Sequence, residues 1–327
     1  MMSQRLGGSP RVASGCLPRA CSRRAGTVRG RLGAALRKSF GSMTRVQLML
    51  HHSRLMHLGI LGAAALAGPV RGQAAPQVPA AARVVQVRTR DFAFVMPDTL
   101  AAGLTTFQLR NEGQQPHHLM LYRLEPGKSL ADVARALQAG GAHPGWMHAV
   151  GGPNAVPHGG QAVGTVLLAP GHYVAFCHVK SPDQVVHFAK GMMKELTVTG
   201  PAPPAGPWPS ADLTVTLGEY AFTWSRPPSR GWHRIAVRNV GSQRHEVILS
   251  RLAPGKTSHD FIRWMNTQQG RPPVAPWGGT TDLPAGGSML IDVYLEPGTY
   301  SMVCRVRDAG NGRPHDEHGM YAQFRVP

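Results

Sequence analysis

The chain has 327 residues, more than one small domain requires, and its 39 Gly, 28 Pro and 6% aromatic residues favour short strands joined by turns over long helices. Its formal charge of +18 would suit nucleic-acid binding, but the first 74 residues hold 12 Lys or Arg and no acidic residue, which leaves 23 basic against 17 acidic side chains in the remainder. This weakly basic remainder carries no basic stripe with interleaved aromatic residues, so the sequence argues against a nucleic-acid-binding protein.

The leader ends in a recognisable export signal. Arg45 and Arg54 precede an apolar run over 58–68, and the small residues at 72–74 offer a cleavage site. The run is about half of the roughly 20 apolar residues that a membrane-spanning helix needs, so we expect no stable membrane span. We expect cleavage near Ala74 and a mature protein that is periplasmic or secreted.

The first part of the leader carries no fold signal. Residues 1–42 are rich in Arg, Gly and Ser, and they precede alternative starts at Met43 and Met49, so the true start codon stays open. Two of the four cysteines lie in this segment. Its removal leaves Cys177 and Cys304 in the mature chain.

The rest of the chain is an internal repeat with an offset close to 128 residues. Residues 109–113 with His117 match 237–241 with His245 at that offset, and 168–177 matches 295–304 at 127. A proline-rich stretch between the copies predicts an extended spacer. We therefore expect four regions: a leader over 1–74, a first domain over 75–200, a linker over 201–211 and a second domain over 212–327.

Each copy is dominated by strand patterns. Apolar and polar residues alternate over 84–88, 105–110, 213–217 and 233–238. Each copy also holds one helix signal: Ser129 with Asp132 predicts a helix over 130–139, and Thr257 with Asp260 predicts one over 261–269. About seven short strands per copy predict an all-β protein of two tandem Greek-key β-sandwich domains, each with one short inserted helix.

Both copies place the same four side chains at nearly the same spacing. Separations of 60, 10 and 5 residues in the first copy become 59, 11 and 5 in the second. A thiolate and two imidazoles with a distant thioether form the ligand group of a blue-copper electron-transfer site. The candidate ligands are His117, Cys177, His187 and Met192 in the first copy and His245, Cys304, His315 and Met320 in the second.

The segments 111–117 and 171–198 resemble the first-histidine motif and the C-terminal signature of the cupredoxins, and the resemblance extends over most of both copies. It implies one type 1 copper ion per domain, held by those eight residues, with the histidine of the C-terminal loop as an electron port near the surface. Nine and ten residues separate the cysteine from the second histidine, where small cupredoxins have only a few. His118 and Glu246 stand where the family often has an Asn that ties the two ligand loops together. The first copy matches the family more closely than the second.

Other interpretations of these residues are open. A disulfide between Cys177 and Cys304 is disfavoured, because equivalent interior strand ends of separate domains rarely bring α-carbons within about 7 Å. His178 beside Cys177 could lead electrons to a second metal, and His318 competes with His315 as a ligand.

An exported electron carrier that exchanges electrons with a redox protein is the leading functional interpretation, and its weakly basic surface would suit an acidic partner. Copper storage, delivery or sensing without electron transfer is an alternative. A two-domain copper oxidase or nitrite reductase is a weaker one, because the His-x-His motifs of such oxidases do not occur in the sequence. Zinc would fit less well, since structural zinc sites rarely use a thioether.

Overall fold

The computed structural model describes residues 82–140, 143–201 and 207–327. All of these residues belong to one compact unit. The predicted export signal, its cleavage site and the alternative starts lie outside the described residues. Within the described ranges, no helix has the length and apolar character needed to cross a membrane.

The first repeat contains nine strands and one helix. Its elements are β1 Arg83–Arg90, β2 Ala93–Val95, β3 Thr99–Ala101, β4 Gly103–Asn111, β5 Met120–Leu124, α1 Leu130–Ala139, β6 Met147–Gly151, β7 Gln161–Leu168, β8 Gly171–Phe176 and β9 Met193–Thr199. A short 3₁₀ helix, His187–Lys190, lies between the last two strands.

The second repeat contains eight strands and one helix in the same order. Its elements are β10 Leu213–Gly218, β11 Ala221–Trp224, β12 Gly231–Asn239, β13 His245–Leu252, α2 Ser258–Thr267, β14 Val274–Leu283, β15 Ser288–Leu295, β16 Gly298–Val303 and β17 Tyr321–Val326. A 3₁₀ helix, His315–His318, again precedes the last strand. The all-β prediction with one inserted helix per copy is confirmed.

Capping side chains define where both helices begin. The Ser129 hydroxyl accepts from the Asp132 N–H at 3.3 Å, and the Asp132 carboxylate accepts from the Ser129 N–H at 2.9 Å. Thr257 and Asp260 repeat this capping box. The helix α1 has its predicted bounds, whereas α2 begins earlier and ends earlier than predicted, because Gln268 takes a left-handed conformation with φ of 54°.

One layer of the molecule is a single sheet that runs through both repeats. Its order is β11-β10-β12-β15-β7-β4-β1-β2, and the two repeats join where β15 pairs antiparallel with β7. In that junction Ile291 faces Gly164 across the ladder. The backbone hydrogen bonds of the sheet therefore cross the boundary between the copies.

The opposite layer is also joined between the repeats. It consists of the sheets β3-β9-β8-β5-β6 and β14-β13-β16-β17, whose near ends meet where Pro153 bridges Thr280. The Asn154 N–H donates to the Gly279 carbonyl at 3.1 Å, and the Thr281 N–H donates to the Gly152 carbonyl at 2.9 Å. The apolar core lies between the two layers and holds side chains of both repeats in one cluster. The two separate domain ranges stay a prediction, because the copies share their sheets and core.

Candidate metal centres

Three donor atoms converge at one end of the first repeat. Cys177 Sγ lies 3.9 Å from His117 Nδ1 and 3.5 Å from His187 Nδ1, and the two Nδ1 atoms are 3.0 Å apart. All three residues are fully buried. The point that is equally distant from the three donor atoms lies about 2 Å from each of them. This distance agrees with the bond lengths of roughly 2.0–2.3 Å that imidazole and thiolate make to a first-row metal ion.

The outer nitrogens of the first site show that both inner nitrogens lack a proton. His117 Nε2 lies 2.9 Å from the Asp91 carboxylate, which can only accept, so the Nε2 carries the proton. His187 Nε2 lies 3.1 Å from the Gln115 amide oxygen and donates to it. Two bare Nδ1 lone pairs therefore face each other beside a thiol, an arrangement that a cation stabilises.

The second repeat holds a donor set with the same dimensions. Cys304 Sγ lies 3.9 Å from His245 Nδ1 and 3.5 Å from His315 Nδ1, with 3.0 Å between the two Nδ1 atoms. The Nε2 atoms of both histidines are buried and have no hydrogen-bond partner among the residues that the structure describes. Glu219 Oε1 is 3.9 Å from His245 Nε2, too far for a hydrogen bond.

The long loops after the cysteines do not disturb the donor sets. The extra residues fold outward as a small hairpin, closed by a bridge between Lys180 and Val186 in the first repeat and between Arg307 and Pro314 in the second. The two ends of the hairpin lie side by side, as the hydrogen bond from the His187 N–H to the Val179 carbonyl at 2.9 Å shows for the first repeat. The extra residue of the second loop is absorbed in the hairpin, so both triangles keep the same dimensions.

Both predicted methionines are fully buried next to the donor sets. The Met192 N–H donates to the His187 carbonyl at 3.0 Å, and the Cys177 N–H donates to the Met192 carbonyl at 3.2 Å. Met320 makes the equivalent pair of backbone hydrogen bonds, with the His315 carbonyl and the Cys304 N–H. The roles of the eight residues as ligands, including the thioethers, stay predictions.

The protonation states follow from burial. Burial raises the pKa of Cys177 to about 12, against hydrogen bonds from the N–H groups of His118 and Val179 that stabilise the thiolate. Burial, and then the proximity of His117, lower the pKa of His187 to about 4. At neutral pH the imidazoles are therefore free bases, and a metal ion would displace only the thiol proton.

The residue after the first histidine ties the two ligand loops together in both repeats. His118 Nε2 accepts from the backbone N–H of His178 at 2.7 Å. Glu246 Oε1 accepts from the Arg305 N–H at 3.0 Å. Each side chain thus holds the peptide that follows the cysteine, the role expected of Asn in the family, and the departure in sequence preserves the contact.

An aromatic side chain covers each C-terminal-loop histidine. The ring of Phe92 lies edge-on to His187 at 5.2 Å, and Tyr220 lies edge-on to His315 at 5.3 Å. Both aromatic residues have positive φ, 68° and 60°, a conformation that costs about 1–3 kcal/mol for a residue with a Cβ. His187 itself has no exposed surface, and the electron port near the surface stays a prediction.

Sequence reasoning missed the residues around the histidines. Asp91, Phe92 and Gln115 of the first repeat correspond to Glu219, Tyr220 and Gln243 at the same offset of 128, so the repeat itself was the available signal. The glycine two residues after Asn111 is also required, because a Cβ on Gly113 would lie 2.6 Å from His117 Nε2. Asn111 shapes this turn by accepting from the Gly113 N–H at 2.9 Å.

The remaining candidate histidines lie apart from the donor sets. His318 stacks on Tyr220 at 4.8 Å and contacts Asn311, so the structure brings His315 rather than His318 to Cys304. His178 packs against Phe188, with 5.2 Å between the ring centroids. Both Cys177 and Cys304 are free thiols, which agrees with the argument against a disulfide.

The sequence matches no known protein-family profile and no curated protein. Among solved structures it is similar to an auracyanin from Roseiflexus castenholzii, at 22% identity over 36% of this chain and 97% of that one, with a TM-score of 0.27. It is also similar to a Cu-containing nitrite reductase from Thermus scotoductus, at 13% identity over 75% of this chain and 61% of that one, with a TM-score of 0.21. A blue copper oxidase from Nitrosomonas europaea matches at 16% identity over 75% and 86% of the two chains, with a TM-score of 0.22.

Each repeat contributes strands to both layers of the sandwich and holds one His–Cys–His set at its strand ends. The fold is an all-β sandwich of two layers. Each donor set is compatible with one copper ion.

Proposed function

We propose that this chain is an electron carrier with one type 1 copper site in each repeat. The observation that carries the proposal is the duplicated triangle of two Nδ1 atoms and one Sγ, with identical dimensions in both repeats. Copper bound there would supply one-electron redox chemistry, because thiolate and thioether favour Cu(I) whereas imidazole suits both oxidation states.

The protein supplies a rigid and dry environment for that chemistry. The donor residues are fully buried, and backbone hydrogen bonds between Cys177 and Met192 fix the spacing of the loop that carries them. His117 and His187 are held in one tautomer by Asp91 and Gln115. A site that keeps the same geometry in both charge states needs little rearrangement, which favours fast electron transfer.

The predicted export signal and weakly basic surface complete the proposal. The carrier would act outside the cytoplasm and exchange electrons with a redox protein, and an acidic docking surface on that partner would suit the charge of this chain. Association rates that fall steeply with ionic strength would support an acidic partner.

A copper oxidase or nitrite reductase needs a further metal or substrate site. His143, which contacts Arg244 of the second repeat, is already engaged, since its Nδ1 lies 2.6 Å from the Tyr122 hydroxyl and 3.0 Å from the Arg244 guanidinium. A guanidinium at that distance opposes a second cation on the same nitrogen. The contact favours a structural role for His143.

Copper titration of the mature chain, followed by visible and electron paramagnetic resonance spectra, tests the proposal. We expect two copper ions per chain and a strong visible band. Cys177→Ser and Cys304→Ser should each remove the part of this band that arises from the mutated site. Bound Cu(I) without a visible band after oxidation, and without a reversible redox wave, would instead establish storage or delivery. More than two copper ions per chain, or turnover of dioxygen or nitrite, would establish an enzyme.

A further inference from the structure

A chain of buried side chains begins at the first donor set and leads toward the second repeat. The backbone N–H of the residue after Cys177, His178, donates to His118 Nε2 at 2.7 Å. Because that Nε2 accepts, the proton of the neutral ring lies on Nδ1. The N–H of Leu119, the residue after His118, donates to the carbonyl of Pro153 at 3.1 Å, and Pro153 directly precedes Asn154. Both His118 and Asn154 are buried.

Asn154 carries the connection across the boundary between the repeats. Its Nδ2 donates to the Val247 carbonyl at 3.2 Å and lies 3.5 Å from Glu246 Oε2. The other oxygen of Glu246 accepts from the N–H of Arg305, the residue after Cys304, at 3.0 Å. The Glu246 N–H itself points at Cys304 Sγ, 3.4 Å away.

We infer that His118, Asn154 and Glu246 are the route by which an electron passes between the two centres of one chain. This inference rests on the proposed function. Electronic coupling decays more slowly through bonds and hydrogen bonds than across gaps, and this bridge joins the peptide bonds that follow the two thiolate residues. With copper bound at both donor sets, one centre would lose one electron and the other would gain it, and no bond or proton would change place.

A second connection between the repeats is less suited to electron transfer. The His178 ring lies 6.4 Å from the His143 ring, and His143 Nδ1 lies 3.0 Å from the guanidinium of Arg244, which precedes His245. This path includes a gap between rings without a hydrogen bond and passes a fixed positive charge. It provides the matched control, because His143→Phe alters it and leaves Asn154 in place.

Flash photolysis of the copper-loaded chain tests the route. A photoreductant delivers one electron to a fraction of the chains. The electron then redistributes between the two centres at a rate that does not depend on protein concentration, and this relaxation is timed. The variants Cys304→Ser and Cys177→Ser provide the reference spectrum of each centre alone. We expect Asn154→Leu to slow this relaxation at least about tenfold, equivalent to about 1.4 kcal/mol of activation free energy. The His143→Phe variant should relax at the parent rate.

The hydrogen-bonded bridge is tested independently in the metal-free chain. We expect the amide proton of His178 to be protected from hydrogen exchange in the parent and to exchange faster in Asn154→Leu. Asn154→Ser, which is polar but too short to reach both neighbours, provides the same comparison if the leucine variant does not fold.

Equal relaxation rates in the parent and both Asn154 variants, or slowing by His143→Phe instead, would overturn the route while the carrier function stands. Loss of reversible redox behaviour in the parent and in both single-site variants would overturn the carrier function itself.

Discussion

Asp91 and Glu219 occupy equivalent turns, but only Asp91 hydrogen-bonds its histidine: its Oδ1 lies 2.9 Å from His117 Nε2, against 3.9 Å from Glu219 to His245. The longer Glu219 side chain is drawn toward Ser242, whose backbone N–H and hydroxyl both donate to it. A carboxylate therefore holds the outer nitrogen of His117 in the first donor set, whereas the outer nitrogen of His245 in the second set has no such hydrogen bond.

This difference predicts unequal copper sites. A partner that orients a metal-binding imidazole is typically worth about 10–100-fold in metal affinity, so Asp91→Ala should weaken the first site by that order. Glu219→Ala, the matched control, should change the second site much less. Competition with a chelator, measured in the Cys304→Ser and Cys177→Ser backgrounds, checks both values. Equal losses at the two sites would contradict the prediction.

The hydroxyl of Tyr220 should stabilise the second repeat. It donates to the Asp308 carboxylate at 2.6 Å, a contact that Phe92 lacks in the first repeat. We expect Tyr220→Phe to lower the free energy of unfolding of the metal-free chain in urea titrations by clearly more than the control variant does, because it removes a hydrogen bond to a charged group. Tyr321→Phe, whose hydroxyl meets the exposed His259, should lower it by less than about 0.5 kcal/mol. A Tyr220→Phe effect as small as that of the control would show that the contact adds no stability.

The ion pair between Asp282 and Arg244 at the repeat boundary should matter more than a surface pair. Asp282 Oδ2 lies 2.9 Å from Arg244 Nη1, and the Tyr122 hydroxyl donates to the same carboxylate. Asp282→Ala leaves the half-buried guanidinium unpaired, so we expect a loss of about 3–5 kcal/mol in the free energy of unfolding.

The exposed pair of Arg313 and Glu317 serves as the control, and Glu317→Ala should cost at most about 0.5 kcal/mol. Adding Arg244→Met to Asp282→Ala should recover much of the lost stability. A double variant as unstable as the sum of the two single changes would show that the charges do not interact.

The metal-free chain should lose stability in mild acid. Burial lowers the pKa of His143, His187 and His315 to about 4, whereas each titrates near 6.5 in the unfolded chain. Between these values the unfolded state binds more protons, so stability is full above pH 6.5 and falls as the pH drops toward 4. Each histidine contributes up to about 1.4 kcal/mol per pH unit.

Urea unfolding of the metal-free chain at several pH values between 7 and 4 measures this slope. His143→Phe should make the slope shallower, because it removes one of the protons that the unfolded state gains. A free energy of unfolding that does not change over this range would refute the assignment of neutral buried imidazoles.

The order of residues along the chain was sufficient to predict the strands, the capped helices and the convergence of each His–Cys–His set. Ser129 and Asp132 act within one turn of helix, and His187 follows Cys177 by ten residues on one loop, so spacing alone constrains these contacts. The repeat then gave each candidate ligand an equivalent in the other copy, whereas the position equivalent to His178 holds Arg305.

Only the tertiary structure revealed how the two repeats are joined and how their sites differ. The pairing of Ile291 with Gly164 and the hydrogen bonds of Asn154 link residues about 90 to 130 positions apart, and no local pattern encodes such contacts. Whether an acidic side chain reaches its histidine also depends on which other donors it meets, as Glu219 shows with Ser242. Sequence spacing determined which atoms meet within a repeat, whereas packing between distant segments decided what surrounds and connects them.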